Sequence, residues 1–132
     1  NKWIYKWMNE DYLNPFNLAV SNDGKKLYVV AQDADKLMVV DTDKNTVLNN
    51  IKVGIHPHSV ILNKNSKIAY VSNQWSDNVS VIDLLTSRIV DTLQTGSGPA
   101  GLALSADEKF LYVVNTFGSN LSIIDLETRE EI

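Results

Sequence analysis

The sequence has no cysteine, only three prolines, six glycines and two histidines in 132 residues. Without cysteine there is no disulfide scaffold, zinc knuckle, c-type haem attachment motif or cysteine nucleophile. Scarce glycine and proline, with 44% apolar and 21% charged residues, exclude collagen, low complexity and disorder. The longest apolar runs are four or five residues, so no membrane-spanning helix is encoded. The formal charge is −4 with no basic stripe, which speaks against a nucleic-acid partner. No Gly-x-Ser-x-Gly elbow, phosphate loop or His-Glu-x-x-His motif occurs, so no catalytic residue is assigned. No signal peptide is visible and the sequence starts at Asn1 rather than Met, as expected of a processed chain or a piece of a longer one.

What is present is a repeat. Pro15, Pro57 and Pro99 are 42 residues apart, as are Tyr28, Tyr70 and Tyr112, and Asp41, Asp83 and Asp125. Gly54 and Gly96 keep the same spacing. The apolar slots follow without a gap: Leu18, Val60, Leu102; Val20, Leu62, Leu104; Val39, Val81, Ile123. Each copy reads as four short apolar runs separated by Asn, Asp, Gly and Ser, which are strands joined by hairpins. The first runs are Asn17–Ser21, Ser59–Asn63 and Gly101–Ser105. The third are Lys36–Asp41, Asn78–Asp83 and Asn120–Asp125, and the fourth are Thr46–Val53 and Arg88–Thr95.

Four strands in a repeat of about 40–45 residues is the pattern of a propeller blade. Leu27-Tyr28-Val29-Val30 and Leu111-Tyr112-Val113-Val114 do not alternate, which predicts sheets covered on both faces. The fold class is therefore all-β: three four-stranded antiparallel blades in an incomplete ring. Residues 1–13 are expected to hold the outer strand of a preceding or shared blade, centred on Trp3–Met8. Blade 1 is expected at 14–54, blade 2 at 55–96, and blade 3 at 97–132, lacking most of its outer strand.

The motifs Tyr112-Val113-Val114-Asn115-Thr116, Tyr70-Val71-Ser72-Asn73 and the weaker Tyr28-Val29-Val30-Ala31 resemble the YVTN family of β-propeller repeats. So do Asn78-Val79-Ser80-Val81-Ile82-Asp83 and Asn120-Leu121-Ser122-Ile123-Ile124-Asp125. Lys36-Leu37-Met38-Val39-Val40-Asp41 departs most, having lost the Asn and Ser. The resemblance implies an extracytoplasmic protein, in the periplasm or at the cell surface of a bacterium or archaeon. It also implies similarity to the propellers of nitrite and nitrous oxide reductases and of quinoprotein dehydrogenases, and to relatives adjoining cytochrome c peroxidase-like domains.

Residues present in every copy read as architecture. The strand-end aspartates open hairpin turns, and Asn73 and Asn115 are expected to close the second strand in the same way. The tyrosines are expected to pack between blades with tethered hydroxyls. Residues that differ between copies mark a site. The loops entering strand one and joining strands two and three share one face of a propeller. On it fall His56, His58, Trp75, Asp77 and Phe117, the candidate ligand-binding face.

His56 and His58, at i and i+2 on an extended segment, would point the same way and suit a metal. They supply two ligands where zinc takes three or four. The leading expectation is a rigid binding or scaffold module without a cofactor of its own, for a protein or small ligand. The alternative is the propeller of a periplasmic redox system, with haem or copper near His56 and His58. Lactone hydrolysis is a third possibility, for which no acidic metal site assembles. Closure is expected from the remaining blades or from a second copy joined head to tail.

Overall fold

The structure is a computed structural model that describes residues 13–132. Its secondary structure is twelve strands and one turn of 3₁₀ helix at Gln32–Ala34. The strands form three antiparallel sheets in chain order. The first holds β1 (Pro15–Val20), β2 (Lys26–Ala31), β3 (Lys36–Asp41) and β4 (Thr46–Lys52). The second holds β5 (Pro57–Leu62), β6 (Ile68–Asn73), β7 (Asn78–Asp83) and β8 (Arg88–Gln94). The third holds β9 (Pro99–Leu104), β10 (Phe110–Asn115), β11 (Asn120–Asp125) and the two-residue β12 (Glu130–Glu131). The outer strand expected at Trp3–Met8 lies outside the described residues.

The inner strands begin two residues earlier than their apolar runs, at the proline itself. A proline lacks an N–H, so it is tolerated at the first residue of a strand, next to a bulge. The pairing registers shift between Pro15 and Asn17, between Pro57 and Ser59, and opposite Pro99 between Val113 and Asn115. The hairpins between strands three and four are set by the repeated aspartate. Asp41 Oδ1 accepts from the N–H groups of Asp43 and Lys44, at 2.8 and 3.1 Å. Asp83 and Asp125 make the same pair of bonds in their own turns.

The core lies between the sheets. Tyr28, Val30, Leu37 and Val39 of the first sheet pack on Val60, Ala69, Val71 and Ile82 of the second. Tyr70, Val79 and Val81 of the second pack on Leu111, Val113 and Ile124 of the third. Each such aliphatic side chain contributes about 1.5–3 kcal/mol when removed from water. The expected two-sided burial holds where a neighbouring blade exists. In β10 it gives way to alternation, and Val114 and Leu121 on the outward side are 47% and 55% exposed. Tyr28 and Tyr70 are buried at the joints as expected. Their hydroxyls, however, find no hydrogen-bond partner among the described residues. Tyr28 instead lines a small polar cleft with Asn65 and Ser66 of the next blade.

Polar ties cross each joint at both ends. At one end the Asn22 N–H donates to Ser66 Oγ at 2.9 Å, and the Lys64 N–H to Glu108 Oε2 at 2.7 Å. At the other, Asp35 Oδ1 accepts from the His56 N–H and Asp77 Oδ1 from the Gly98 N–H, each at 2.9 Å. The second pair fixes the segments that carry the candidate site.

Candidate functional site

The segments entering each blade pass through a left-handed residue at equivalent positions: Asn14 (φ 55°), His56 (φ 53°) and Gly98 (φ 70°). His56 is therefore not on extended backbone. It sits on a tight turn, and only His58 lies on a strand, β5. The two imidazoles do not form the parallel pair expected of i and i+2 on one strand.

Each left-handed residue meets the loop of its own blade. The His56 ring stacks on the Trp75 indole, with centroids 4.0 Å apart and planes 10° from parallel. The Phe117 ring lies over Gly98 so closely that a Cβ there would overlap it. His56 and Trp75 thus form one unit, and Gly98 and Phe117 the next. Trp75 is 61% and Phe117 60% exposed, so both aromatics face solvent. His56 Nδ1 also stands 3.7 Å from Asp33 Oδ1 of the preceding blade. Asp77 makes no contact with the His56–Trp75 pair that would place it in a shared site; its Oδ1 anchors the Gly98 amide of the next unit.

His58 turns toward the first blade. Its ring meets the Phe16 ring edge-on at 4.9 Å, and its Nδ1 is 2.8 Å from Ser59 Oγ. Burial, and then the neighbouring His56, hold its pKa below the usual 6.5, so the ring is neutral at neutral pH. Asp33 and Phe16 lie in loops expected at this face but not among its five candidates, and Ser59 was not expected there. The signal for Asp33 was present, since it occupies the repeat position of Trp75 and Phe117.

Beneath this face lies a clasp. Asn73 Nδ2 donates to Asn78 Oδ1 at 2.8 Å and to Ser80 Oγ at 2.9 Å, while its Oδ1 accepts from the Gly54 N–H at 3.0 Å. In the third blade Asn115 Nδ2 makes the matching bonds to Asn120 and Ser122, at 3.0 and 2.8 Å. These asparagines do not cap a turn as expected; both tie strands two and three, and Asn73 also holds the incoming segment, whereas in the third blade the Gly96 N–H donates to Ser122 Oγ at 3.1 Å and Asn115 Oδ1 has no partner among the described residues. The glycine is required: a Cβ on Gly54 would stand 2.5 Å from Asn73 Cγ. The buried clasp occupies Asn78 and Ser80, which otherwise read as a glycosylation sequon.

At the opposite end, a concavity of about 560 Å³ opens between the inner strands, lined by Leu18, Val20, Ile61, Leu62 and Leu104 among others. Among the described residues no three His, Cys, Asp or Glu side chains gather as a metal site. No helix among them is long and apolar enough to cross a membrane.

Residues 20–132 match the family described as the cytochrome D1 heme domain. The chain belongs to the cytochrome D1 heme domain family. It superimposes on hydrazine synthase of Kuenenia stuttgartiensis with a TM-score of 0.86 at 26% identity, covering 94% of this chain and 36% of that one. A functionally unknown protein from Desulfotomaculum acetoxidans gives a TM-score of 0.77 at 19% identity, covering 89% of this chain and 41% of that one. A protein of unknown function from Bacteroides caccae gives 0.71 at 17%, covering 87% and 46%. The last two likenesses bear on the fold alone. A comparison with curated proteins found no match. The chain spans less than half the length of each of these three structures.

The family name raises the question of a haem, and the two imidazoles answer it differently. His58 has its Nδ1 engaged by Ser59. His56 has Asp33 on its Nδ1 side and Trp75 against its ring, the kind of outer partners that orient a ligating imidazole and leave Nε2 available. His56 fits a single iron ligand, and His58 would fit one only with its Nδ1 donating to Ser59.

Proposed function

We propose that the chain contributes three YVTN-type blades to a propeller of a haem-associated redox system outside the cytoplasm. Its role there is that of a rigid body presenting the His56–Trp75–Phe117 face to a protein or small ligand. The observation that carries this reading is the family match, joined to a face where exposed aromatics of two blades are held from below by clasps and from the side by Asp35 and Asp77. Rigid elements with locked supports are what a recognition surface needs. The outward side of the third blade, with Val114 and Leu121, accepts the next blade of the ring; the alternative occupant is a second copy.

A second reading keeps the same face but brings a haem to it. His56 would then supply a nitrogen to hold it, Asp33 and Trp75 would orient that imidazole, and the haem would supply electron transfer.

A photo-crosslinking residue at position 75 or 117 tests the first reading in cells of the source. Capture of a haem or copper protein is the expected result. Crosslinks confined to the chain itself, from a folded protein, would sink it. The visible spectrum and metal content of the purified chain test the second: a haem absorbance lost in His56→Ala supports it, and a colourless, metal-free, folded protein overturns it.

A further inference from the structure

The proton on His58 can be located by following hydrogen bonds inward from the first blade. The Leu18 N–H donates to Asn17 Oδ1 at 2.9 Å, which fixes the way the Asn17 amide faces. Asn17 Nδ2 therefore donates to Ser59 Oγ, at 3.3 Å. Ser59 is only 7% exposed, and its hydroxyl hydrogen needs an acceptor. Among the described residues one acceptor meets Oγ, and it is His58 Nδ1 at 2.8 Å. If Nδ1 carried the proton instead, Oγ would accept two bonds and its own hydrogen would be stranded in a buried site. The Ser59 hydroxyl thus donates to Nδ1, and the imidazole proton sits on Nε2.

We propose that His58 is locked as the Nε2–H tautomer by Asn17 and Ser59, and that it serves the candidate face as a hydrogen-bond donor to an uncharged carbonyl oxygen of the ligand rather than as an iron ligand. In this tautomer neither nitrogen offers a metal a free lone pair unless the Ser59 bond reverses: Nδ1 accepts from the hydroxyl and Nε2 carries the proton. An uncharged acceptor follows from the surroundings. Asp33, Asp35 and Asp77 all stand at this end of the joints, where a carboxylate ligand would meet like charge. The Phe16 ring against His58 offers an apolar wall for the rest of the ligand. The lock is particular to this joint. At the equivalent positions the third blade has Ala100 and Gly101, which supply neither the imidazole nor the hydroxyl. The ligand class rests on the proposed role of this face; the tautomer does not.

Two experiments separate these parts. Long-range ¹⁵N–¹H correlation spectra of the histidine-labelled chain at neutral pH should show His58 with a protonated Nε2 and a bare Nδ1. Ser59→Ala, or Asn17→Ala should Ser59→Ala fail to fold, should mix in the Nδ1–H form. A bare Nε2 in the unmodified chain, or a tautomer indifferent to both substitutions, overturns the lock. N-methylacetamide titrated into the chain should then shift the His58 Nε2–H resonance in a saturable way, and acetate should not. No shift with either, or a larger one with acetate, overturns the ligand class while leaving the tautomer standing. With added haemin, any histidine-dependent absorbance should persist in His58→Ala; its loss there, with His56 intact, overturns the exclusion of iron.

Discussion

The first and second blades share strand order, turn aspartates and tyrosine, yet they are joined to their incoming segments in different ways. The second blade is clasped through Gly54, Asn73, Asn78 and Ser80. At the same positions the first has Tyr12, Ala31, Lys36 and Met38. The four changes belong together. Without the Asn73 amide, the second asparagine and the serine lose their shared partner, and the glycine loses its reason. A half-satisfied buried network costs more than an apolar core, a cost the third blade carries, since Asn115 Oδ1 is buried without a partner among the described residues. Met38 and Val40 of the first blade are fully or nearly fully buried, the apolar solution to the same problem.

The comparison is broken most severely by Gly54→Ala. Its Cβ would enter the Asn73 side chain, and a loss of about 3 kcal/mol is expected by urea unfolding. Combining it with Asn73→Ala should return part of that loss, since the clash is then relieved. Asn73→Ala alone strands the Gly54 N–H and should cost about 2 kcal/mol in the same assay. Ala31→Asn sharpens the contrast. With Lys36 and Met38 opposite, the new amide has no clasp to join, and a loss of about 1–2 kcal/mol is expected rather than a gain.

The smallest effect distinguishes blades by pH. Asp23 and Asp107 accept hydrogen bonds from the hydroxyls of Ser21 and Ser105, and then from the N–H groups of Lys25 and Lys109. Both carboxyls are thereby held below the usual 3.8. A depressed folded pKa gives stability that is present above the unfolded value and is lost as pH falls through the folded one. The second blade uses Asn63 and Asn65 in this turn, which do not titrate. Amide exchange, taken relative to its intrinsic rate, should therefore quicken between pH 5 and about 2 at Lys25 and Lys109, and stay level at Lys67, whose N–H is held by Asn63 and Asn65. Equal quickening in all three would remove carboxylate titration as the cause.

The period, the strands and the turn aspartates were legible in the sequence because each depends on neighbours a few residues away. The third strands Lys36–Asp41, Asn78–Asp83 and Asn120–Asp125 match their apolar runs residue for residue. What escaped depends on the neighbouring blade. Nothing in Leu121 distinguishes it from its buried counterpart Val79; one has a blade against it and the other has solvent. The site was half legible. His56 and Trp75 stood out as departures from the repeat. The partners of His58 did not, because Asn17 reaches Ser59 across a whole period. Nor could spacing show that His56 turns left-handed, which parts it from His58.

The carboxylate that holds the His56 amide belongs to the blade before it, and the one that holds Gly98 comes from the second blade. The first blade thus lends an anchor forward, the second borrows one and lends another, and the third borrows. Deletion or duplication of a whole 42-residue period within the first two blades would leave every loan in place, since Asp35 and Asp77 are the same acceptor; the third blade carries Ser119 there instead. A break at any other phase would strand a borrower. Exchange of recognition loops between such genes is therefore constrained in phase far more tightly than in sequence.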